Sequence, residues 1–395
     1  MGLNETPAAN RTHIGFFGCR NAGKSSLVNA ITGQDLAVVS DTKGTTTDPV
    51  RKAMELLPMG PVMIIDTPGF DDEGALGQER MKKTKQVLRQ SDVAILVVDA
   101  SKGLNSEDQK WLTQFEENKI AHIIVYNKSD LITNHTPTSQ AEIYVSATSG
   151  QNINELKERI ARLSVTQEGR LVGDLIKPLD LVLLVTPIDE SAPKGRLILP
   201  QQQTIRDILD AGAVSIVIRE TELKETLAQI TPALVITDSQ VFEEVSAVVP
   251  RQIPLTSFSI LMARYKGVLD TTVAGVQAIA RLQDGDTILI AEGCTHHRQC
   301  NDIGTVKIPN WLAKSTGKKL TIETVSGTEF PDDLTKYALI LHCGGCMLNE
   351  REVKSRMNTA IAQHIPFTNY GIAIAYMKGI LDRSVAPVMN QSPLI

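Results

Sequence analysis

A phosphate-binding loop near the N-terminus constrains the fold more than any other feature of the chain. The apolar segment THIGFFG (12–18) leads into a loop, residues 18–25, with the spacing G-x-x-x-x-G-K-S, and the helical sequence SSLVNAITG follows. In such a loop the backbone N–H groups at a helix N-terminus bind phosphates, the lysine reaches the β- and γ-phosphates, and the serine binds Mg²⁺. The sequence therefore predicts a nucleotide-binding α/β domain in which Lys24 and Ser25 have these roles.

Four further motifs follow in the order that a GTPase requires. Thr45-Thr46-Thr47-Asp48 is a candidate switch, and the apolar run PVMIIDTPG (61–69) ends in Asp66-Thr67-Pro68-Gly69. Asn127-Lys128-Ser129-Asp130 supplies a carboxylate that selects guanine, and Ser146-Ala147-Thr148 covers the base. The predicted GTP site comprises Asn21, Ala22, Gly23, Lys24, Ser25, Ser26, Thr46, Asp66, Gly69, Asn127, Lys128, Asp130, Ser146 and Ala147. Its candidate catalytic residues are Lys24, Thr46, Asp66 and Gly69, and its candidate Mg²⁺ ligands are Ser25 and Thr46.

Over residues 10–165 these motifs resemble the TrmE/Era class of GTPases. Asn21 matches the loop asparagine that binds K⁺ in the potassium-activated members, where the ion takes the place of an arginine finger. No glutamine follows Gly69 directly, and the acidic segment Asp71-Asp72-Glu73 is the candidate for positioning water. The resemblance implies slow, K⁺-stimulated hydrolysis of GTP, as in a switch.

The rest of the chain alternates apolar strands with helices, the pattern of α/β domains with mainly parallel sheets. Strand sequences such as LVLLVTP (181–187) and VSIVIR (214–219) are followed later by TILIAEG (287–293) and KLTIETV (319–325). We therefore predict an α/β fold throughout, with a P-loop GTPase domain followed by two further α/β domains. The predicted domain boundaries are 1–170, 175–270 and 271–395.

The two later domains share an apparent internal repeat. IPLTSFSILMARYKGVL (253–269) matches IPFTNYGIAIAYMKGIL (365–381) at 8 of 17 positions, and two upstream strand pairs align at offsets of 105 and 106 residues. Duplication is one explanation, and a chance likeness of amphipathic strands is the other. If the repeat is real, the first copy carries Ile188 and Asp238 where the second carries Cys294 and Cys343. A copy without these cysteines needs another role, so we predict that the middle domain forms a homodimer or docks a partner.

The second copy contains a split cysteine motif, Cys294-Thr295-His296 and His342-Cys343-Gly344-Gly345-Cys346, whose two pieces each follow an apolar strand. Loops at the carboxyl ends of parallel strands converge on one crevice, so the two pieces are expected to meet. Thiolates from Cys294, Cys343 and Cys346 suit either a closed zinc site or an iron–sulfur cluster with one open position. The spacing alone does not decide between the two metals.

The order of these features, a TrmE/Era-like GTPase domain followed by Cys-x-His and His-Cys-x-x-Cys, resembles the HydF family of [FeFe]-hydrogenase maturation. The resemblance covers the whole chain. It implies a [4Fe-4S] cluster on Cys294, Cys343 and Cys346, with His296 or His342 as the candidate fourth ligand. It also implies that a 2Fe precursor, supplied by HydE- and HydG-like radical-SAM maturases, is passed to apo [FeFe]-hydrogenase, and that GTP controls these partner interactions.

Composition bears on the competing functions. The 395 residues include 40 basic and 45 acidic side chains, for a net charge of −5, with 4% aromatic residues. This balance disfavours a nucleic-acid or membrane surface, and no run reaches the roughly 18 apolar residues of a membrane span. Cysteines clustered with histidines indicate a metal site in the reducing cytoplasm rather than disulfides. The alternatives are a tRNA- or ribosome-maturation GTPase with a zinc-stabilised C-terminal domain, and a redox enzyme, which would want a second cofactor site.

Overall fold

Two α/β units make up the chain, with the division between Gln167 and Glu168. A computed structural model describes residues 6–33, 49–69, 75–133, 139–163, 169–188, 197–293 and 302–389. Several residues singled out from the sequence lie outside the described residues, namely Thr46, Asp71, Asp72, Glu73, Cys294 and His296.

The first unit is built on a mainly parallel sheet of six described strands in the order β2-β3-β1-β4-β5-β6, in which β2 alone runs antiparallel to its neighbour. In chain order its elements are β1 (Thr12–Phe17), α1 (Lys24–Thr32), β2 (Val50–Leu56), β3 (Gly60–Asp66), α2 (Ala75–Gln90), β4 (Val93–Asp99), α3 (Ser106–Glu117), β5 (Ala121–Asn127), β6 (Glu142–Tyr144) and α4 (Ile153–Leu163). Every residue of β1 and β4 is buried, as central parallel strands covered on both faces require.

Helices cover this sheet on both faces. The core on one face includes Leu27 of α1 and Leu156 of α4, and the core on the other includes Trp111 and Phe115 of α3. The start of α3 is fixed by Asn105, whose side chain accepts from two backbone N–H groups. Because the strands are parallel, their carboxyl ends and the loops that follow them share one edge, where the phosphate loop lies.

The second unit contains two parallel sheets of four described strands each. In chain order its elements are β7 (Leu181–Val185), α5 (Leu199–Asp210), β8 (Val214–Ile218), α6 (Leu223–Leu227), β9 (Leu234–Thr237), α7 (Phe242–Val248), β10 (Leu255–Ser257), α8 (Phe258–Tyr265), α9 (Leu269–Gly275), β11 (Thr287–Ala291), α10 (Ile308–Thr316), β12 (Thr321–Val325), β13 (Tyr337–His342), α11 (Glu350–Ala362), β14 (Phe367–Asn369), α12 (Tyr370–Met377) and α13 (Leu381–Met389). The predicted fold class is therefore confirmed.

The two sheets have the same strand order, as the predicted repeat requires. The first runs β8-β7-β9-β10 and the second β12-β11-β13-β14, so that each places its strands in the order second, first, third, fourth. The last strand of each sheet leads directly into a helix of 8 residues, α8 or α12. Ser257 and Asn369, which occupy the same position of the repeat, cap these helices by accepting from the N–H group three residues on.

The two sheets of the second unit share one hydrophobic core. Buried residues of this core extend from Leu171 to Val388, and α8 of the first sheet packs against α12 of the second. The Asn369 side chain donates to the Ser259 carbonyl oxygen at 2.9 Å across this contact. None of the described helices is long and apolar enough to cross a membrane.

Candidate functional site

In the first unit, Lys24 lies at the start of α1 with its ammonium group directed at the preceding loop. Its Nζ donates to the carbonyl oxygens of Gly18 (2.8 Å) and Cys19 (2.9 Å). The cation is thus held at a helix N-terminus, where the backbone N–H groups also carry partial positive charge. A phosphate anion is the ligand that both features favour.

Asp66 and Ser25 form a polar pair next to this lysine. Ser25 Oγ donates to Asp66 Oδ2 at 2.6 Å, whereas the buried Oδ1 has no hydrogen-bond partner among the described residues. Burial raises the pKa of the Asp66 carboxyl, against the opposing effects of the Ser25 hydrogen bond and the Lys24 charge. Hydroxyl and carboxylate oxygens are the hard ligands that Mg²⁺ prefers, so this pair fits the predicted ion.

Two glycines let the segments of this site approach one another. A Cβ atom at Gly69 would lie 2.9 Å from the Arg20 backbone nitrogen, and one at Gly23 would lie 2.2 Å from Asn127 Nδ2. Gly23 also has φ of +89°, which disfavours other residues. The Asp-Thr-Pro-Gly segment therefore lies directly against the phosphate loop, where a γ-phosphate would contact both.

The predicted guanine motif is tied to the phosphate loop by Asn127. Its Nδ2 donates to the Ala22 carbonyl oxygen at 3.0 Å, and its Oδ1 accepts from the Ala147 N–H at 3.1 Å. Asn127 thus links the phosphate loop to the segment predicted to cover the base. Asp130, which follows on a 3-10 turn, is exposed and so is accessible to a base.

One residue of this region was not found from the sequence. Asp99, at the end of β4, pairs with Lys128 at 2.7 Å, and hydrogen bonds from Lys128 and Ser101 lower the pKa of its carboxyl although burial acts the other way. This pair fixes the Lys128 side chain beside the predicted base site. The sequence did offer one indication of this role: Asp99 directly ends an apolar strand. That strand runs parallel to the one that ends in Asn127, so the two residues lie side by side.

In the second unit, the strands that precede the two pieces of the split cysteine motif, β11 and β13, end at the same sheet edge. The strands are parallel neighbours, with Ala291 opposite His342. Beyond the strands, the Gly293 N–H donates to Cys343 Sγ at 3.0 Å. Gly293, the last described residue before the first piece, therefore contacts the second piece, and the meeting of the two pieces themselves stays a prediction.

Cys343 and Cys346 are free, partly buried thiols in the segment 343–348, which closes in a tight turn where the Leu348 N–H donates to the Gly345 carbonyl oxygen. The Gly345 N–H donates to Cys343 Sγ at 3.4 Å, so this sulfur accepts two backbone hydrogen bonds. Burial raises the pKa of the Cys343 thiol, and burial together with the neighbouring Cys343 raises the pKa of Cys346 to about 11. Two buried sulfurs of this kind fit a metal or cluster, because a bound cation favours the thiolates that burial opposes.

The described residues contain no group of three or more His, Cys, Asp or Glu side chains that could hold a metal ion. Two predicted members of the site, Cys294 and His296, are outside the described residues. A helix cap follows the motif, since the Asn349 side chain accepts from the Glu352 N–H at 3.1 Å. A helix N-terminus close to the cysteines offsets negative charge on their sulfurs.

His342, one of the two predicted fourth ligands, has a different position. Its Nδ1 lies 2.7 Å from the Cys343 carbonyl oxygen and its Nε2 lies 3.4 Å from Arg356 Nη1, so the carbonyl accepts from one ring nitrogen while the other faces a guanidinium donor. The ring is 1% exposed and packs on Phe367, on the sheet face opposite to the Cys343 side chain. Burial and the Arg356 charge lower its pKa to about 3. Both ring nitrogens thus have partners among the described residues, and the assignment of His342 as a candidate fourth ligand stays a prediction.

Sequence reasoning also missed a lysine close to the cysteines. Lys266, which follows α8 in the first copy of the repeat, is 1% exposed, and its Nζ donates to the Leu348 carbonyl oxygen at 2.8 Å. Nothing near residue 266 in the sequence signals this contact, because it joins residues 82 positions apart.

Comparison with known proteins finds family models that match three successive segments of the chain. The family model of 50S ribosome-binding GTPases matches residues 13–128. Among curated relatives, the tRNA modification GTPase MnmE of Nitrosospira multiformis is 32% identical over 157 residues, which cover 38% of this chain and 34% of the relative. GTPase Der of Kosmotoga olearia is 30% identical over 205 residues, covering 47% of this chain and 46% of that protein. The chain thus spans from about a third to under half of the length of these relatives, and residues 13–128 form a GTPase domain.

The second unit is matched by two further models that adjoin one another. The hydrogen maturase F dimerization domain matches residues 171–267, and the hydrogen maturase F tetramerization domain matches residues 270–387. Together these segments take up more than half of the chain, and they contain both parallel sheets and the turn with Cys343 and Cys346. With a GTPase domain preceding both models in the same chain, this protein belongs to the hydrogen maturase F family, HydF.

Proposed function

We propose that this chain is a cytoplasmic, GTP-controlled scaffold that holds a [4Fe-4S] cluster on Cys294, Cys343 and Cys346. The 2Fe precursor of the [FeFe]-hydrogenase active site would be held there as cargo and passed to the apo-hydrogenase. The observation that carries the proposal is the 3.0 Å contact between the Gly293 N–H and Cys343 Sγ. Cys294 follows Gly293 directly in the chain, and consecutive Cα atoms are ~3.8 Å apart, so we propose that Cys294 reaches the same cluster as the other two cysteines.

The cluster would supply one iron without a cysteine ligand, at which an exchangeable ligand can bind. In this chain Cys343 Sγ accepts two backbone N–H groups, which stabilise a thiolate. His296 is the proposed fourth ligand, because both ring nitrogens of His342 already have partners within the protein. An open position of this kind suits a scaffold, which must accept its cargo and release it.

The nucleotide site supplies the proposed control. Lys24 and the α1 N-terminus would bind the phosphates, Ser25 and Thr46 would hold Mg²⁺ with Asp66 beside it, and Asp130 would select guanine. Asn21, which is exposed at a φ of +58°, is the proposed K⁺ ligand, and we expect K⁺ to stimulate a slow hydrolysis. The ordering of switch segments by the γ-phosphate would change the affinity for a HydE- or HydG-like maturase, without altering the cluster itself.

Anaerobic reconstitution with iron and sulfide tests the scaffold proposal. We expect about four irons per chain, with an electron paramagnetic resonance signal on reduction. The control is the same treatment of a chain with Cys294, Cys343 and Cys346 all replaced by serine, which should take up no cluster. Binding of one zinc per chain, with no paramagnetic signal, would contradict the scaffold and favour the zinc-stabilised alternative. The MnmE and Der relatives give that alternative little support, because residues 171–267 and 270–387 match the hydrogen maturase F models.

A homodimer through the middle domain is the proposed assembly. β8 is an edge strand of its sheet, and its apolar residues Val214 and Val217 are 41% and 40% exposed. An edge strand with exposed apolar residues is a template for pairing with another strand. We propose that β8 pairs with β8 of a second copy, in the segment that matches a dimerization domain.

The dimer is tested by replacing Val217 with lysine. A charge on the paired edge should disfavour pairing, so the molar mass measured by light scattering is expected to fall to that of a single chain. The matched control is Thr321→Lys, which places the same charge at an exposed position on β12, the equivalent edge strand of the other sheet. The proposed interface is wrong if the Val217 variant remains a dimer, or if both variants dissociate equally.

A further inference from the structure

The turn with Cys343 and Cys346 rests on a helix from the other copy of the repeat. A Cβ atom at Gly344 would lie 3.8 Å from Ser259 Oγ and 3.9 Å from Met262 Cβ, both residues of α8. A cavity of about 10 Å³ between them is lined by Met262, Lys266, Cys343 and Gly344, among others. A cavity of this size holds about one water molecule, so α8 and the turn are in close contact.

Lys266, directly after α8, is the charged residue at this contact. Its side chain is among the largest fully buried ones in the described part of the chain. Its Nζ donates to the Leu348 carbonyl oxygen at 2.8 Å and lies 5.3 Å from the centre of the Tyr265 ring. Leu348 is two residues beyond Cys346, and its own N–H donates to the Gly345 carbonyl oxygen, so the lysine fixes the end of the cysteine turn.

The charge of Lys266 also acts on the sulfurs. Burial and the neighbouring Cys343 raise the pKa of the Cys346 thiol, and the Lys266 ammonium is the largest effect that opposes them. An ammonium group in a buried site interacts strongly with a nearby anion, because little water screens the two charges. A [4Fe-4S] cluster bound by three thiolates is anionic, and its negative charge increases on reduction.

The repeat provides an internal comparison. Lys378 follows α12 at the position equivalent to Lys266, and each lysine is followed by a glycine with positive φ. Lys378 pairs instead with Glu243 and lies 5.6 Å from the Trp311 ring centre. Of these two equivalent lysines, the one in the copy that lacks the cysteines is directed at the cysteine turn of the other copy.

We propose that Lys266 is a positioning residue for the cluster site, which holds the cysteine turn through the Leu348 carbonyl and offsets the negative charge of the reduced cluster. This inference rests on the proposed scaffold function. It also gives the middle domain a role in the cluster site beyond dimer formation, because Lys266 of that domain completes the site.

Lys266→Met tests the proposal, because methionine retains an unbranched chain but lacks both the charge and the donor. We expect the reconstituted variant to have a more negative midpoint potential than the original chain, measured by electron paramagnetic resonance during titration with dithionite. Loss of a nearby cation destabilises the more anionic, reduced state. Lys266→Arg keeps the charge and the donor and should retain a potential close to that of the original chain. The matched control Lys378→Met removes a lysine from the equivalent position and should leave the potential unchanged.

Two results would overturn the inference. One is a Lys266→Met chain with unchanged potential and iron content, and the other is an equal shift in the Lys266→Met and Lys378→Met chains. If the turn is too poorly held to retain iron in Lys266→Met, retention in Lys266→Arg supports the proposal and loss in both variants contradicts it. The thermal unfolding midpoint of the second unit reports whether each variant is folded, since GTP hydrolysis belongs to the other unit. Failure of the scaffold proposal is distinct, because the original chain would then bind no [4Fe-4S] cluster.

Discussion

Replacement of Cys343 by serine is expected to remove the visible absorbance of the reconstituted cluster and to lower the bound iron by at least about 10-fold. Loss of residues that merely orient a metal ligand costs roughly 10–100-fold in metal affinity, and loss of the ligand itself should cost no less. Cys343 is the cysteine whose sulfur accepts from both Gly293 and Gly345, so it joins the two pieces of the motif. Activation of the apo-hydrogenase should be lost together with the iron.

The same variant should keep its GTP hydrolysis. Cys343 lies in the unit Glu168–Ile395, whereas the phosphate loop and the guanine motif lie in Met1–Gln167. Serine differs from cysteine by one atom, so the sheet around β13 should fold with little change. An unchanged rate of phosphate release would therefore show that the loss of iron does not extend to the GTPase unit.

Cys300→Ser is the matched control, because it makes the same chemical change in a cysteine to which we assign no role. It should bind as much iron as the original chain. Retention of the cluster in Cys343→Ser would contradict the ligand assignment. Equal loss of iron from Cys300→Ser would show that the ligand set is different from the one proposed.

The GTPase domain could be predicted from the sequence because its signals are local. The segment 12–25 defines a strand, a loop and a helix N-terminus within a few residues, and the structure has the strand at Thr12–Phe17 and the helix at Lys24–Thr32. Strand β2 was not predicted, since its exposed and half-buried residues at the edge of the sheet give no apolar run. The short strands β10 and β14, of three residues each, are too brief to show a periodicity.

The cysteine site could be predicted only in part, for a geometric reason. Parallel strands fix which loops share an edge, and this rule correctly brought Gly293 to Cys343. Which sheet face a side chain leaves from depends on the alternation along the strand, and a shift of one residue reverses it. His342 and Cys343 are therefore adjacent in sequence but on opposite faces, and the sequence does not show which of them faces the site.

Lys266 illustrates the contacts that no sequence pattern reveals. In the sequence, Lys266 stood out only as one of the identical positions between the two copies of the repeat, where it aligns with Lys378. Its burial follows from the packing of α8 on the cysteine turn, which is set by the shared core of the two sheets. Such a contact depends on the relative placement of two sheets, and neither helix periodicity nor strand alternation carries that information.

Replacement of Lys24 by alanine is expected to lower the rate of GTP hydrolysis by about 100-fold or more. Removal of a single preorganised donor from developing charge costs about 100- to 1,000-fold in rate, and Lys24 supplies a full charge at the phosphate site. The buried ammonium also donates to the Gly18 and Cys19 carbonyl oxygens. The variant therefore loses these two hydrogen bonds within the phosphate loop as well. Phosphate release at saturating GTP and nucleotide affinity measured by calorimetry separate the effects on rate and binding.

The Lys24→Ala chain should also lose the response of its maturase complex to nucleotide. We expect the HydE- or HydG-like partner to dissociate from the original chain on addition of GTP and Mg²⁺, and to remain bound to the variant. Cluster content should not change, because the cysteines belong to the other unit. Lys110→Ala is the control, since this exposed lysine on α3 pairs only weakly with Glu107 at the surface.

This variant and Cys343→Ser together separate the two halves of the proposal. Each should abolish one property, GTP-dependent release or cluster binding, and leave the other at the level of the original chain. Release of the maturase by GTP from Lys24→Ala would contradict a switch driven by the γ-phosphate, because the phosphate loop would then have no part in the response. Loss of the cluster from the same variant would instead mean that nucleotide binding acts on the metal site directly, which contradicts a control exerted only through partner affinity.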